Sequence, residues 1–271
     1  MKKLRKILIG LVLVFVALIG IAQVLLLVYE DDIRLAIDNA IAENVNAQVY
    51  YDADAFSISL FSNFPNATVS LANFGVANKA PFEGDTLVDV GAFEIEINLL
   101  SILGDPSISG IVLQDVSLHV RVLEDGSANY DIAMPSDAPV STDTASTGTG
   151  LSIGIDHWAI TNGTIIYDDA SLGFYTSLSG LNHTGSGQVS TAIFDLVTST
   201  QVAEADLRYD GISYVIDKQL DLDATLHVDI SDANKMVIGF RENSIKVNDF
   251  AMAAEGEFIM KPEAYDMDIA F

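Results

Sequence analysis

The hydrophobic pattern of the chain changes twice. Residues 7–28 run for 22 positions without a charge, and Gln23 is the strongly polar side chain among them. As a helix this run reaches about 33 Å, enough to cross the hydrocarbon core of a bilayer. Ile7, Leu11, Phe15, Leu18, Leu25 and Val28 are its anchor positions. Ile33, Ile37 and Ile41 then recur every four residues, beside Ala36 and Ala40 and away from Arg34 and Asp38, which predicts an amphipathic helix over about 31–44. From Ala47 onward the period is two, the spacing of strands with one apolar face.

Four runs show that period most clearly. Phe93, Ile95, Ile97 and Leu99 alternate with Glu94, Glu96 and Asn98, and Val116, Leu118, Val120 and Val122 alternate with Ser117, His119 and Arg121. The longest run sets Leu220, Leu222, Ala224, Leu226, Val228 and Ile230 against Asp221, Asp223, Thr225, His227 and Asp229. Tyr265, Met267, Ile269 and Phe271 alternate with Asp266, Asp268 and Ala270. One face of each strand is greasy and the other acidic. Asp125-Gly126, Asn162-Gly163 and Asp210-Gly211 each fall between apolar-alternating segments, a strong hairpin signal, so consecutive strands are expected to pair antiparallel as a meander. Residues 135–150, rich in Pro, Ser, Thr, Asp and Gly, read as a flexible loop.

These features divide the chain into a basic tip with a transmembrane anchor (1–28), an amphipathic helix (29–45), a first β segment (46–133), a linker loop (134–150) and a second β segment (151–271). Lys2, Lys3, Arg5 and Lys6 precede the span and Glu30, Asp31 and Asp32 follow it, so the positive-inside rule leaves the N-terminus in the cytoplasm and exports the rest. The span is longer than the apolar core of a signal peptide and lacks a small-x-small cleavage site, which favours a retained anchor.

Charge and composition then narrow the function. Beyond the four N-terminal cations, nine cations face 38 acids, a charge of −29, which excludes nucleic acid as a natural partner. Half of all residues are hydrophobic, so the acids mark a solvated face of a folded protein. There is no cysteine, hence no disulfide and no thiolate metal site. An amphipathic sheet must cover its apolar face, yet no helical stretch after residue 44 is long enough to do so. A sandwich, a barrel, and a trough whose inner face holds lipid all satisfy that demand.

Catalytic chemistry finds no support. His119 and His227 fall on polar strand faces, His157 and His183 lack partners at triad or metal spacing, and Asp156 and His157, as strand neighbours, point to opposite sides. Nucleophile elbow, phosphate loop and EF-hand patterns are missing. Asp168-Asp169 and the aspartates of 221–232 diverge along strands instead of converging on a cation, so no metal and no cofactor is expected. Trp158, the single tryptophan, reads as a strand anchor.

Beyond this pattern, the basic tip, span and helix are followed by Phe61, Ser62, Asn63, Phe64, Pro65 and Asn66, then Val69 and Leu71. Further on come a Phe-Glu-Gly-Asp-Thr-Leu stretch at 82–87, Asn98 to Leu103, and Asp125, Gly126, Asn129, Tyr130, Asp131 and Ile132. In this order, and with 151–169 after them, they resemble the AsmA-like proteins of Gram-negative envelopes, especially the Bacteroidetes branch, with Tyr130 where tryptophan is usual. The resemblance implies an inner-membrane anchored, periplasmic β structure related to chorein-type bridge-like lipid-transfer proteins. Its curled antiparallel sheet would form an elongated apolar groove carrying phospholipid toward the outer membrane. On that implication Val116, Leu118, Val120, Val122, Leu220, Leu222, Leu226, Val228, Ile230, Tyr265, Met267 and Ile269 are the lipid-contacting positions. Family members are generally longer, and the chain stops within an alternating strand, so it reads as an N-terminal fragment. The rival reading is a scaffold or assembly factor for outer-membrane proteins that conducts no lipid.

Overall fold

The computed structural model describes residues 34, 35, 38–98, 107–134, 155–187, 192–232, 234–262 and 264–270. The predicted membrane span and the loop at 135–150 lie outside the described residues. Of the amphipathic helix, residues 34, 35 and 38–44 are described and helical.

Among the described residues the chain forms twelve strands in one sheet: β1 (Gln48–Asn63), β2 (Asn66–Ala77), β3 (Thr86–Asn98), β4 (Ile108–Val122), β5 (His157–Asp169), β6 (Phe174–Gly187), β7 (Ile193–Tyr209), β8 (Ile212–Asp232), β9 (Lys235–Val247), β10 (Phe250–Met252), β11 (Glu255–Lys261) and β12 (Ala264–Ala270). Strand order follows sequence order from β1 to β9 and continues through β11 to β12, with β10 returning briefly along β9. The sheet is curled and open, since β1 and β12 are not hydrogen-bonded to each other.

The expected antiparallel meander holds except at one pair. β4 and β5 run parallel, from Gly110 opposite His157 to Val122 opposite Asp169. The cause lies just after β4. Leu123 N donates to Ser127 O at 2.8 Å, and Gly126, at φ 84°, closes the turn, so Asp125-Gly126 is a turn but not the hairpin expected of it. The segment after that turn forms no strand. Ala128 bridges Val122, Asn129 N donates to Arg121 O, and the backbone then crosses the sheet end to pair Ala133 with Val45. The chain therefore re-enters the sheet from the opposite end, and β5 must run parallel to β4.

Asn162-Gly163 is also corrected. It lies inside β5, where Asn162 has φ 54°, and the residue pair expected to make a hairpin makes a kink. Asn73 in β2 (φ 50°), Asp115 in β4 (52°), Gly180 in β6 (62°) and Asp217 in β8 (48°) adopt the same left-handed conformation. The registers place Asn73, Asp115, Asn162 and Gly180 near one line across the sheet. On that line each strand takes a three-residue step between apolar positions: Leu71 to Phe74, Phe93 to Val90, Leu113 to Val116, Ile160 to Gly163, Leu181 to Leu178 and Val202 to Ala205. A lone step of this kind would turn a strand inside out, because strand side chains alternate with period two. Made together, the steps keep the greasy face continuous across a crease. Asn, Asp and Gly tolerate the left-handed region, and Asn162 Nδ2 donates to Asp115 Oδ1 at 2.6 Å while Asn162 N donates to Asn182 Oδ1 at 3.1 Å.

Candidate functional site

The candidate site is the apolar face of the sheet. Its floor at the crease is a packed cluster of Leu181, Val202 and Ala205, flanked by Ile160, Ile165, Leu178, Val215 and Leu220. Toward β1 the face is closed, with Phe56, Ile58 and Leu60 buried. Toward β12 it opens. Register aligns Phe194, Val228, Ile238, Phe258 and Met267 in one row, and Leu196, Leu226, Phe240, Gly256 and Ile269 in the next.

The sequence-predicted positions fall on this face but differ in exposure. Val116, Val122 and Val228 are buried, and Leu118, Val120, Leu220, Leu226 and Ile269 are half-buried. Leu222 and Ile230 are exposed, Met267 is 70 % exposed and Tyr265 77 %. The first set forms floor, and the second set stands free at the open side. Between them Leu222, Ala224, Leu226, Phe240, Ile245 and Ile269 line a cavity of about 250 Å³ whose walls are almost wholly apolar. Met236, Ile238 and Phe240 on β9 belong to the same surface. Their alternation is visible in the sequence, but Asn243, which comes after them out of phase, masks it. Glu242, at φ 20°, supplies another odd step there, and Asn243 Oδ1 accepts from Ala254 N at 2.7 Å to bind β9 to the turn before β11.

A polar chain that sequence reasoning missed crosses the floor. Trp158 Nε1 donates to His183 Nε2 at 2.9 Å, and His183 Nδ1 stands 2.8 Å from Thr200 Oγ1. Since Nε2 accepts, the imidazole is neutral with its proton on Nδ1. Burial holds its pKa below the ordinary histidine range. The indole lies over Gly185, where a Cβ would come within 2.0 Å of the ring, so glycine is required for Trp158 to lie flat. The spacing of Trp158 and His183 in sequence gives no sign of this pairing, which arises from the β5–β6 register.

The opposite face carries most of the polar contacts, with Ile193 and Val197 exposed on it across from Asp229 and Thr225. His227 Nδ1 lies 2.7 Å from Asp195 Oδ1, Ser199 Oγ donates to Asp223 Oδ1 at 2.6 Å, and Tyr50 OH donates to Asp89 Oδ2 at 2.6 Å. Where this face meets the start of β5, Glu96 is buried and accepts from Asn63 and Asn66, each at 3.1 Å, with His157 Nε2 at 3.3 Å. His157 is thus tied to Glu96 and not to Asp156. These contacts tie side chains of nearby strands to one another. Hydroxyls and carboxylates joined to one another in this way hold the sheet together and keep its outside wet. Among the described residues no helix is long and apolar enough to cross a membrane.

No curated protein matches the chain. The AsmA family model matches residues 1–251, from the basic tip through the first residues of β10. The chain belongs to the AsmA family.

Proposed function

We propose that this protein is a passive lipid conduit of the cell envelope. Residues 7–28 hold it in the inner membrane, its sheet lies in the periplasm, and phospholipid acyl chains lie along the apolar face on their way toward the outer membrane. The supporting observation is the uncovered apolar surface of β8–β12. Leu222, Ile230, Met236, Met260, Tyr265 and Met267 stand exposed together on one face beside the 250 Å³ apolar cavity. Soluble proteins rarely leave so many large apolar side chains contiguous and open to water. Acyl chains laid on this face remove both surfaces from water, at roughly 0.8 kcal/mol for each methylene buried.

No covalent step belongs to this function, and no residue is assigned a catalytic part. The acidic outer face keeps the sheet soluble and repels other copies of itself. A scaffold for outer-membrane proteins would instead place a polypeptide on the same face. The two readings separate when the full chain is purified in mild detergent with a fluorescent phospholipid and run on a native gel. Comigrating fluorescence is the expected result. A dark protein band, with a polypeptide crosslinked to β8–β12, would overturn the conduit.

A further inference from the structure

The apolar cavity on the open side of the sheet is a pit, formed where small side chains sit among large ones. Buried Ala224 and Ala254 make its floor, while Leu222, Leu226, Phe240, Ile245 and Ile269 stand around them. The strands are irregular at the same place. Register slips between Ala224 and Thr225, with Glu242 of β9 at φ 20° as the extra residue, and β10 leaves β9 so that β11 pairs with it from Gly256 onward. A bulge combined with this change of partner strand leaves room that alanine does not fill.

The two polar side chains among its described lining residues are both engaged. Asn243 Oδ1 accepts from Ala254 N at 2.7 Å and its Nδ2 donates to Ala254 O, so both ends of the amide are tied to one backbone residue. Thr198 Oγ1 donates to Ala224 O at 3.4 Å. A lipid ester or headgroup placed here would give up its water and gain no partner, a loss that hydrocarbon does not suffer. Apolar cavities of this kind stay dry and take up apolar molecules.

Size decides how much hydrocarbon enters. An apolar cavity of about 150 Å³ holds one benzene, about 25 Å³ for each carbon. At about 250 Å³ the pit holds roughly ten carbons on that scale. That is one chain, not two, and part of a phospholipid acyl chain, not all of it. We propose that the pit seats the methyl-end segment of a single phospholipid acyl chain, with the ester and headgroup left on the open face beyond it. The inference rests on the conduit reading for its ligand and adds a fixed station to it. Lipid on β8–β12 halts in one register instead of sliding over a uniform surface, and Ala224 and Ala254 set the capacity of that station.

The test reconstitutes the full-length protein in phosphatidylcholine vesicles that contain a phosphatidylcholine photoprobe, its diazirine either at the methyl end of one chain or next to the ester. Adducts are located by peptide mass spectrometry. The methyl-end probe should label Leu226, Phe240, Ile245 and Ile269 about fivefold more than the ester-end probe, which should label the exposed face around Met236 and Met267 instead. Equal labelling of the pit by both probes overturns the station and leaves the conduit standing. No label anywhere on the apolar face overturns both. Ala224→Phe adds about six carbons, or roughly 150 Å³ on the same scale, and should cut pit labelling by the methyl-end probe about fivefold while the ester-end probe still labels Met236 and Met267. Ala254→Phe fills the pit from the other side of its floor and should do the same. Circular dichroism identifies a folded variant, and wild-type pit labelling in either folded variant overturns the station.

Discussion

Replacing Leu222 and Leu226 together by aspartate strikes the apolar face where both side chains line its apolar cavity. Leu222 is 36 % exposed and Leu226 is half-buried beside Phe240 and Ile269. Full burial of a leucine is worth about 1.5–3 kcal/mol, so the exposed third of Leu222 offers roughly 0.5–1 kcal/mol to an acyl chain, and the less exposed Leu226 somewhat less. Losing about 1–1.5 kcal/mol lowers affinity roughly 5- to 10-fold, and the two carboxylates, which keep their water, widen that loss. Thr225→Asp is the matched control, on the opposite face of β8 with Arg241 as its cross-strand neighbour. The measurement is phospholipid extracted per mole of purified protein, by mass spectrometry, with circular dichroism to confirm the sheet. The double variant should lose nearly all bound phospholipid and the control none. A folded double variant with wild-type phospholipid content would refute the assignment of this face to acyl chains.

Other positions give sharp expectations. Asn129, 1 % exposed and bonded to Arg121 N and His119 O, should cost about 2–4 kcal/mol when changed to leucine, read as a lower Tm, because both backbone groups lose their partner. Asn162→Val should cost about 2 kcal/mol or more in denaturant unfolding, since a β-branched residue is forced to φ 54° and the bond to Asp115 is lost; Asn162→Gly should cost less. Gly185→Leu should lift Trp158 from the groove floor and shift its emission, which is clean to read because the chain has a single tryptophan. His183 has its folded-state pKa lowered by burial, so below about pH 6.5 the unfolded chain binds more protons than the folded one. Stability contributed by the neutral ring is complete above that pH and declines as pH falls toward the folded value. Urea midpoints at pH 7.5 and 5.5 should differ more for the wild type than for His183→Gln, and equal differences would contradict this.

The parts of this fold legible in the sequence are those fixed by local pattern. Residues 220–230 alternate without interruption and form the second half of β8, and Asp210-Gly211 is the turn between β7 and β8. The crease is illegible because it needs the same residues as a tight turn: Asn162-Gly163 offers positive φ to either, and only the neighbouring strands decide which. The parallel β4–β5 pair is hidden because it depends on where residues 127–134 go, and their anchors, Arg121 and Val45, lie elsewhere in the chain. Trp158, His183 and Thr200 come from three strands, and register, not spacing, brings them together.

A conduit of this kind requires acyl chains to lie on one face of the sheet and not on the other. Photocrosslinking side chains placed one at a time at 222, 225, 226, 227, 266 and 267 in living cells read that asymmetry. Lipid adducts should form at 222, 226 and 267, on the apolar face, and fail at 225, 227 and 266. Adducts independent of face, or none at any position, would contradict the conduit.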